Sequence, residues 1–504
     1  MNLIQNFPFF CIMIAMFGGI ISAVLPARSA KALNIGVLSG VGIMSLVLLV
    51  WLQISKIGSY TYMMGHFPAP WGNELRVGSL EALLALFVSI VMLLSVLCGR
   101  SKLNSEIKPS RQSAYCTLTC MLLASLLALI YTNDLFTAYV FVEINTIAGC
   151  GLIMIRQNGR CFEAAVRYMI MSLLGSGLLL MGICMLYDLT GHLLMENIRV
   201  QIDLLMQSST YQIPLVITVG LMTVGLAIKS ALFPFHNWVP DAYGYSTVSS
   251  AAILSSLVSK GYIFLLIKIF FRVIGFENIA ATGILRVLFV FGLFGMIFGS
   301  VSAIWEKDVR RMVSFSSVAQ IGYIYMGLGL GTLSGVVAAI FHIFAHGATK
   351  ALLFTSAIGL TDSSGKSRDF FDLTGSGYRN IAAGAGFTVG SLSMVGIPMF
   401  SGFVSKLLFA QAAVLVPDWK LWPTLIVLAI STVLNAIYFL KTVIRIYTPA
   451  SDELSQKPGF GKIPASKQKL YVLGLLMFVV VNFVLGLTSQ PIINLISEGL
   501  THFV

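Results

Sequence analysis

Residues 225–236 read GLAIKSALFPFH, an apolar stretch interrupted by Lys229 and Pro234. Proline inside a helix removes a backbone hydrogen bond and clashes with the preceding turn. In a membrane, the carbonyl groups freed in this way must find protein, water or an ion. Residues 396–406, GIPMFSGFVSK, repeat the combination of proline and lysine. Paired interrupted segments of this kind are typical of membrane chains that contain an inverted repeat and an ion site.

The composition of the whole chain agrees with a membrane setting. It has 504 residues, of which 57% are hydrophobic and 10% are charged, and its mean hydropathy is +0.90. Soluble proteins carry about 25% charged residues, and single soluble cores stop growing near about 250–300 residues. Apolar runs long enough to cross a hydrocarbon core of about 30 Å recur from end to end. We therefore exclude a large soluble core and expect an all-α polytopic membrane protein.

About fourteen transmembrane helices are predicted, with proline breaks in helices 7 and 12 at Pro234 and Pro398. The breaks are five spans apart, and repeats of five spans must be inverted relative to each other because five is odd. The predicted domains are three N-terminal helices in 1–112, a first five-helix repeat in 113–275, a second in 280–447, and a cytoplasmic loop, last helix and short tail in 448–504. The predicted span centres are Ala15, Gly42, Ser89, Leu123, Ile147, Leu178, Leu221, Phe264, Leu293, Tyr323, Phe344, Gly396, Ile430 and Val479.

The predicted loops fall into two groups by charge. Most Lys and Arg residues lie in the odd loops, counted from the loop after the first span: Arg28, Lys31, Arg100, Lys102, Lys108, Arg111, Arg156, Arg160, Arg167, Lys307, Arg310, Arg311, Lys366, Arg368, Arg379, Lys457, Lys462, Lys467 and Lys469. The even loops hold little beyond Lys56, Arg76, Arg199, Arg272, Arg286 and Lys420. The positive-inside rule then assigns the odd loops to the cytoplasm and both termini to the outside. Because topology explains the net charge of +12, we expect no nucleic-acid partner.

Several ionisable residues lie inside predicted spans, where a charge at the helix centre costs about 2.5–3.5 kcal/mol. Burial favours the neutral form of lysine and a nearby carboxylate favours the charged form, so Glu143 could switch the protonation of Lys229. Residues 342, 346 and 350 lie four apart and share one helix face, and histidine can pass a proton between its two nitrogens. The predicted proton relay is Glu143, Lys229, His236, Lys260, His342, His346, Lys350 and Lys406.

Other interpretations of these residues stay open. The two histidines could ligate a metal, but no carboxylate or cysteine joins them, so we predict no metal site; structural hydrogen bonds are the other alternative. The prolines could kink helices for packing alone. Lys268 and Arg272, at the end of the eighth span, are interpreted as anchors that extend to the lipid headgroups, and Lys350 could do the same. The seven cysteines form no C-x-x-C pair, and no iron–sulfur or zinc ligand set is predicted.

At these residues the chain resembles the antiporter-like family shared by complex I, Mrp-type multisubunit sodium/proton antiporters and membrane-bound hydrogenases. The similarity covers nearly the whole length. It is most specific at FVE (141–143), KSALFPFHNWVPDA (229–242), SFSSVAQIGY (314–323), the segment from Phe341 to Phe354, and the segment from Gly396 to Phe403. The resemblance implies fourteen helices in two inverted five-helix repeats.

The resemblance also implies roles for single residues. Glu143 and Lys229 correspond to the glutamate–lysine pair of the family, Lys260 to its central lysine, and Lys406 to its terminal ionisable residue. Some members carry glutamate at this last position, so the charge at the proton exit site has the opposite sign in this chain. Residues 66–72, HFPAPWG, resemble the antiporter D-type subunits and their hydrogenase counterparts. The lateral helix and extra spans of the largest members are not expected.

The expected function is that of a proton-translocating subunit in a multisubunit complex, in the plasma membrane of a prokaryote. Other integral membrane subunits are the expected partners. Coupling to Na+/H+ exchange and coupling to a hydrogenase or other redox complex with iron–sulfur or nickel–iron peripheral subunits both stay open. No G-x-G-x-x-G after a strand, no P-loop and no cysteine cluster is present, so no cofactor is predicted in this chain. The alternatives are a stand-alone cation/proton transporter, a scaffold with an inactive channel, and a quinone-binding subunit.

Overall fold

The computed structural model describes residues 3–67, 72–207, 212–416, 419–451, 458–463 and 468–503. The chain is mostly helical in these ranges. In chain order the helices are α1 (Phe7–Val24), α2 (Ala27–Ser55), α3 (Ser79–Gly99), α4 (Leu103–Glu106), α5 (Gln112–Tyr131), α6 (Leu135–Met154), α7 (Gly159–Thr190), α8 (Met195–Met206), α9 (Gln212–Ser230), α10 (Val239–Tyr245), α11 (Val248–Ile253), α12 (Ser259–Lys268), α13 (Phe276–Ala281), α14 (Ile284–Trp305), α15 (Val309–Gly329), α16 (Leu333–Asp362), α17 (Ser376–Arg379), α18 (Ile381–Val395), α19 (Ser401–Val414), α20 (Leu421–Tyr447), α21 (Lys469–Leu487) and α22 (Ser489–Thr501).

Within the described ranges, 11 helices are long and apolar enough to cross a membrane, namely α1, α2, α3, α5, α6, α7, α9, α14, α16, α20 and α21. Three other predicted span centres lie on different elements. Phe264 lies on an unbroken helix from Val248 to Ile274, in which π-helical turns at Leu254–Val258 and Ile269–Ile274 separate the α-helical parts. Tyr323 lies on the more polar α15, and Gly396 lies between α18 and α19.

Both proline-containing stretches interrupt a helix. Pro234 lies between the end of α9 and the start of α10, and Pro398 lies between α18 and α19. At the second interruption Gly396 has a φ of +92°, a left-handed conformation that favours glycine. α19 then folds back closely against α18, since a Cβ atom on Gly402 would lie 1.8 Å from the carbonyl oxygen of Ser393. Regular helical hydrogen bonding is interrupted at both breaks, because proline carries no backbone N–H group.

The expectation of an all-α chain needs one correction. Strands β1 (Ser59–Met63) and β2 (Glu74–Gly78) form an antiparallel pair, with Ser59 opposite Gly78. A strand of five residues is too short a signal to stand out between runs of about 20 apolar residues. Residues 68–71, which belong to the HFPAPWG segment, lie outside the described residues, as do Lys457 and Lys467.

α16 is the most enclosed of the eleven long apolar helices. In its most apolar 18-residue stretch, 94% of the residues are buried, whereas the share is 33% for both α20 and α21. α16 packs against α3, α15, α18, α19 and α21. Because α16 carries His342, His346 and Lys350, these three side chains lie in the protein interior and not on its lipid-facing surface.

The interpretation of Lys268 as a headgroup anchor is wrong. Its side chain is fully buried, and its ammonium group donates to the carbonyl oxygens of Leu129 at 3.2 Å, Ile130 at 3.1 Å and Thr132. These carbonyls belong to the C-terminal end of α5, where a helix has unpaired acceptors and favours a positive charge. The sequence shows that Lys268 ends a span but does not show that another helix ends beside it.

The same interpretation is wrong for Arg272. Its guanidinium forms an ion pair with Glu81 of α3, and both side chains are buried. The guanidinium carbon also lies 3.9 Å from the ring centre of Phe503, near the end of the chain. Arg272 therefore joins α3, the Val248–Ile274 helix and the C-terminal segment inside the protein.

Replacing Glu81 with alanine is expected to destabilise the protein by about 3–5 kcal/mol, because Arg272 would keep a buried charge without a counter-charge. The double change Glu81→Leu and Arg272→Met should recover most of that loss, since it removes both charges. The measurement is the thermal unfolding midpoint of each purified variant in mild detergent, monitored by size-exclusion chromatography. A double variant as unstable as the single one would contradict this explanation.

Candidate functional site

Glu143 and Lys229 face each other across two helices. Glu143 lies at the centre of α6 and Lys229 is the penultimate residue of α9, directly before the helix break. The Lys229 Nζ atom lies 3.9 Å from Glu143 Oε1 and donates a hydrogen bond of 2.7 Å to Thr146 Oγ1. The Lys229 side chain is fully buried, whereas 26% of the Glu143 side chain is exposed. The ammonium group thus has a neutral partner in contact and a carboxylate just beyond hydrogen-bond distance.

A polar network that the sequence analysis did not identify surrounds this pair. Lys229 Nζ lies 5.4 Å from the ring centre of Tyr262. The Tyr262 hydroxyl donates to Asn145 Oδ1 at 2.9 Å, and the Asn145 amide donates to Ser125 Oγ at 3.0 Å. Part of this network could have been predicted from the sequence, because the polar residues Asn145 and Thr146 follow Glu143 closely in an otherwise apolar helix. The positions of Tyr262 and Ser125 required the folded structure.

Lys260 lies in the middle of the Val248–Ile274 helix, directly after a π-helical turn. Its side chain is buried, and its Nζ atom donates to the carbonyl oxygen of Ser255 within that turn. A π-helical turn changes the regular hydrogen-bond pattern, and such turns are frequent at functional sites. Tyr262 lies two residues further along the same helix, so this helix contributes both to the surroundings of Lys229 and to the position of Lys260.

The two histidines of α16 lie side by side. Their ring centres are 5.7 Å apart, and the His342 ring also stacks on Tyr323 at 5.5 Å. His342 Nδ1 shares a hydrogen bond of 2.6 Å with Ser405 Oγ. His342 Nε2 and both ring nitrogens of His346 are buried and have no hydrogen-bond partner among the described residues. Buried polar atoms are normally hydrogen-bonded, so each of these two imidazole rings has hydrogen-bonding capacity left for a further partner.

Two lysines border the histidines. Lys350 is fully buried and donates to the carbonyl oxygen of Val313 at 2.9 Å and to the hydroxyl of Ser316, so it does not extend to the headgroups. Lys350 lies one turn beyond His346 on α16, and the π-helical turn that precedes Lys260 packs against the same helix. In the described ranges neither lysine has an acidic side chain within ion-pair distance, and neutral groups alone hold them.

Lys406 occupies the second helix break. Its Nζ atom donates to the carbonyl oxygen of Val395 at 2.7 Å and to Thr432 Oγ1 at 3.0 Å. Val395 is the last residue of α18, so the interruption supplies the acceptor. Nζ also lies 5.9 Å from the ring centre of Tyr323, the ring that stacks on His342. Tyr323 therefore lies between the terminal lysine and the histidine pair.

His236 lies apart from the other seven residues. It follows Pro234 in the first break, is 8% exposed, and stacks on Phe233 at 5.5 Å. Its Nδ1 atom is buried without a hydrogen-bond partner among the described residues. No hydrogen bond or ion pair in those ranges joins His236 to another residue of the predicted relay.

Three arginines, two from loops and one from the start of α15, hold the C-terminal end of α10. From the sequence, these arginines served only to assign the orientation of the loops. Arg310 donates to the carbonyl oxygens of Tyr243 at 3.2 Å and Ser246 at 2.8 Å, Arg368 to Gly244 at 2.8 Å, and Arg156 to Tyr245 at 3.3 Å. Cations stabilise a helix C-terminus. Burial lowers the pKa of Arg368, and the nearby carboxylate of Asp308 opposes that effect. These contacts fix the segment that follows the first break.

The described residues offer no set of metal ligands. In those ranges, no three His, Cys, Asp or Glu side chains are placed to hold a metal ion together. The histidine pair of α16 is instead bordered by lysines and hydroxyl groups. The arrangement brings titratable side chains together. The ring nitrogens of His342 and His346 that lack a hydrogen-bond partner lie among them.

Comparisons with known proteins give a consistent family. The family model described as NADH:quinone oxidoreductase/Mrp antiporter, TM, matches residues 132–434. NADH-quinone oxidoreductase subunit N of Desulforudis audaxviator is 31% identical over 444 residues, which are 86% of each chain. The putative antiporter subunit mnhD2 of Staphylococcus aureus is 27% identical over 492 residues, 98% of this chain and 93% of the other.

A solved structure agrees with the fold. A chain of the Mrp complex from Dietzia sp. DQ12-45-1b superposes with a TM-score of 0.86 at 22% identity, covering 100% of this chain and 98% of that one. The relatives and this neighbour are subunits of multisubunit membrane complexes. The match at residues 132–434 includes Glu143, Lys229 and Lys406. The chain is therefore a multi-pass membrane protein that belongs to the NADH:quinone oxidoreductase/Mrp antiporter membrane family, an antiporter-like subunit of the kind found in Mrp and complex I-like complexes.

Proposed function

We propose that this chain passes protons along a row of buried titratable side chains inside a larger membrane complex. The observation that carries the proposal is the pair of Glu143 and Lys229, 3.9 Å apart, at the break of α9 and α10. The proposed relay is Glu143, Lys229, Lys260, His342, His346, Lys350 and Lys406, with His236 at the first break.

The proposed chemistry starts with two alternative partners for one ammonium group. Lys229 keeps its proton when the Glu143 carboxylate is charged and near, because an opposite charge favours the charged form of lysine. When Glu143 is protonated or moves away, the hydroxyl of Thr146 alone compensates poorly for burial, and Lys229 releases its proton. The open nitrogens of His342 and His346 would accept it, and Lys350 or Lys406 would pass it on.

The finer architecture is part of the proposal. The eleven long apolar helices, together with the Val248–Ile274 helix, α15 and the α18–α19 pair, would give fourteen spans. The first repeat, in 113–275, would run from α5 to the Val248–Ile274 helix, and the second, in 280–447, from α14 to α20. Each repeat would have its proline break in the fourth of its five spans, as expected for two repeats that share one fold. Residues 1–112 and 448–504 would flank them.

The surface around Glu143 supports an integral membrane partner. Val140 and Ile147, which lie on the same face of α6, are 39% and 61% exposed. A partly exposed carboxylate at the centre of such a face is costly against lipid, so we place a second membrane subunit there. Both termini are assigned to the outside of a prokaryotic plasma membrane by the charge of the loops.

The names of the relatives are compatible with two processes to which proton transport could be coupled. One relative is named as an antiporter subunit, which favours exchange of H+ for Na+, and another as a subunit of an NADH-quinone oxidoreductase, which favours a redox complex with iron–sulfur or nickel–iron peripheral subunits. The ion relay proposed here serves either one. In both cases the electron carriers, where present, would belong to other chains.

The experiment that separates the couplings is to tag this chain, extract it in mild detergent, and identify each co-purifying subunit. Partners with iron–sulfur or nickel sites would assign the relay to a redox-driven complex. Partners that are all small membrane subunits would assign it to an Na+/H+ antiporter. A chain that purifies alone and still transports protons in proteoliposomes would overturn the multisubunit proposal.

A further inference from the structure

A groove of about 880 Å³ lies on the outer face of α20, apart from the relay. One of its sides is α20, and the other is formed by residues of the loop before α17, Phe371 and Thr374. Its apolar lining comes from Val433, Ala436, Ile437, Leu440 and Ile444. At the C-terminal end of α20 the lining changes to Lys441, Arg445 and Thr448. The groove therefore has an apolar part and a basic end.

The apolar part of the groove follows one face of the helix. Val433, Ile437 and Ile444 are 60%, 47% and 68% exposed, although they are large hydrophobic residues. From Val433 to Leu440, the last apolar lining residue before Lys441, the helix rises by about 10 Å, which is about two thirds of the depth of one leaflet of a hydrocarbon core of about 30 Å. The strip is thus long enough for the upper part of one acyl chain, directly next to the basic end of the groove.

The basic end of the groove consists of two cations on successive turns. Lys441 and Arg445 are four residues apart on α20, a spacing at which like charges repel each other. In the described ranges neither side chain forms an ion pair, and no acidic residue lines this groove. A bound anion would relieve the repulsion and neutralise both cations.

Lys441 and Arg445 also line an adjoining cavity, which contains the acids Glu306 and Asp369. Glu306 Oε2 accepts a hydrogen bond of 3.0 Å from Arg311 Nε, and Asp369 Oδ1 accepts one of 2.8 Å from the backbone amide of Phe371. Lys307 in the same cavity adds a third cation. Three cations, Lys307, Lys441 and Arg445, thus face two acids, and one of these acids is already paired with Arg311, so this end of the groove is positive among the described residues.

We infer that this groove binds one anionic phospholipid, with its phosphate between Lys441 and Arg445 and an acyl chain along the strip from Leu440 back to Val433. Basic pockets beside membrane helices on the cytoplasmic side bind anionic headgroups, and the odd-loop assignment puts this end of α20 there. The fit of both parts, a negative head and an apolar tail, selects a lipid over a soluble anion. The inference concerns the assembly and surroundings of the chain and does not depend on the proton relay.

The test uses the intact complex in nanodiscs and a phosphatidylglycerol that carries a photoreactive diazirine in its acyl chain. Labelled peptides of wild type should map to residues 433–440. Lys441→Ala with Arg445→Ala should lower the apparent affinity about thirty-fold, roughly five-fold for each cation removed, whereas Lys441→Arg with Arg445→Lys should stay near wild type. Arg28→Ala with Lys108→Ala is the matched control, because it removes two exposed cations outside the groove.

A measurement on wild type alone keeps the test independent of folding of the variants. Unlabelled phosphatidylglycerol in excess should reduce labelling of residues 433–440, and phosphatidylcholine in the same excess should not. Equal competition by the two lipids would overturn the inference, as would labelling that the double alanine change leaves unaltered. Cross-links from residues 433–440 to a neighbouring subunit, with no lipid label in the intact complex, would assign the groove to a protein partner and also overturn it.

Discussion

Replacing Lys229 with alanine is expected to abolish proton transport while the complex still assembles. The lysine side chain is fully buried, and its ammonium contacts Thr146 and lies near Glu143. Alanine removes the titratable group, and a positioned proton-transfer group contributes about 100-fold to 10,000-fold in rate. Glu143→Ala should have the same effect, because Lys229 would lose its carboxylate. Formation of a pH gradient in membrane vesicles, divided by subunit abundance, measures both.

Matched variants separate loss of the relay from loss of structure. Lys56→Ala removes an exposed lysine at the end of α2 and should transport normally. Thr146→Val removes the hydroxyl that accepts from Lys229 but keeps both charged groups, so transport should fall in part and not disappear. A normal pH gradient at normal abundance in Lys229→Ala would refute the proposed relay and favour a scaffold with an inactive channel.

The membrane class, the family and most helices of the chain could be predicted from local sequence. Apolar runs of about 20 residues determine membrane spans without reference to the rest of the chain. The chemistry of proline likewise acts on its own turn, and Pro234 and Pro398 both lie in interruptions. The strands β1 and β2 were missed because five residues carry a weak pattern.

The contacts of the site could not be predicted, because they join residues far apart in sequence. Lys229 and its acceptor Thr146 are 83 residues apart. Lys268 is 136–139 residues away from the carbonyl groups at the end of α5 to which it donates. A sequence shows that a lysine is in a span but not which carbonyl is nearby. For that reason the same pattern gave a relay interpretation for Lys260 and an incorrect anchor interpretation for Lys268.

Changing Lys406 to methionine is expected to lower proton transport by about 100-fold or more, since the terminal titratable group would be lost. Methionine fills a similar volume, so the packing at the break of α18 and α19 should be retained. The matched control is Lys108→Met, which removes an exposed lysine outside the relay and should leave transport near normal. The pH gradient in membrane vesicles is again the measurement.

Lys406→Glu is the more informative change, because the Lys406 ammonium donates to the carbonyl oxygen of Val395. A charged carboxylate cannot donate there and would face the negative end of the carbonyl dipole, whereas a protonated carboxyl can donate. We therefore expect partial transport that is stronger at low pH than at high pH, since the protonated form is the one that fits. Transport as low as in Lys406→Met at every pH would mean that the break requires an ammonium group, and that a titratable group of either sign is not enough.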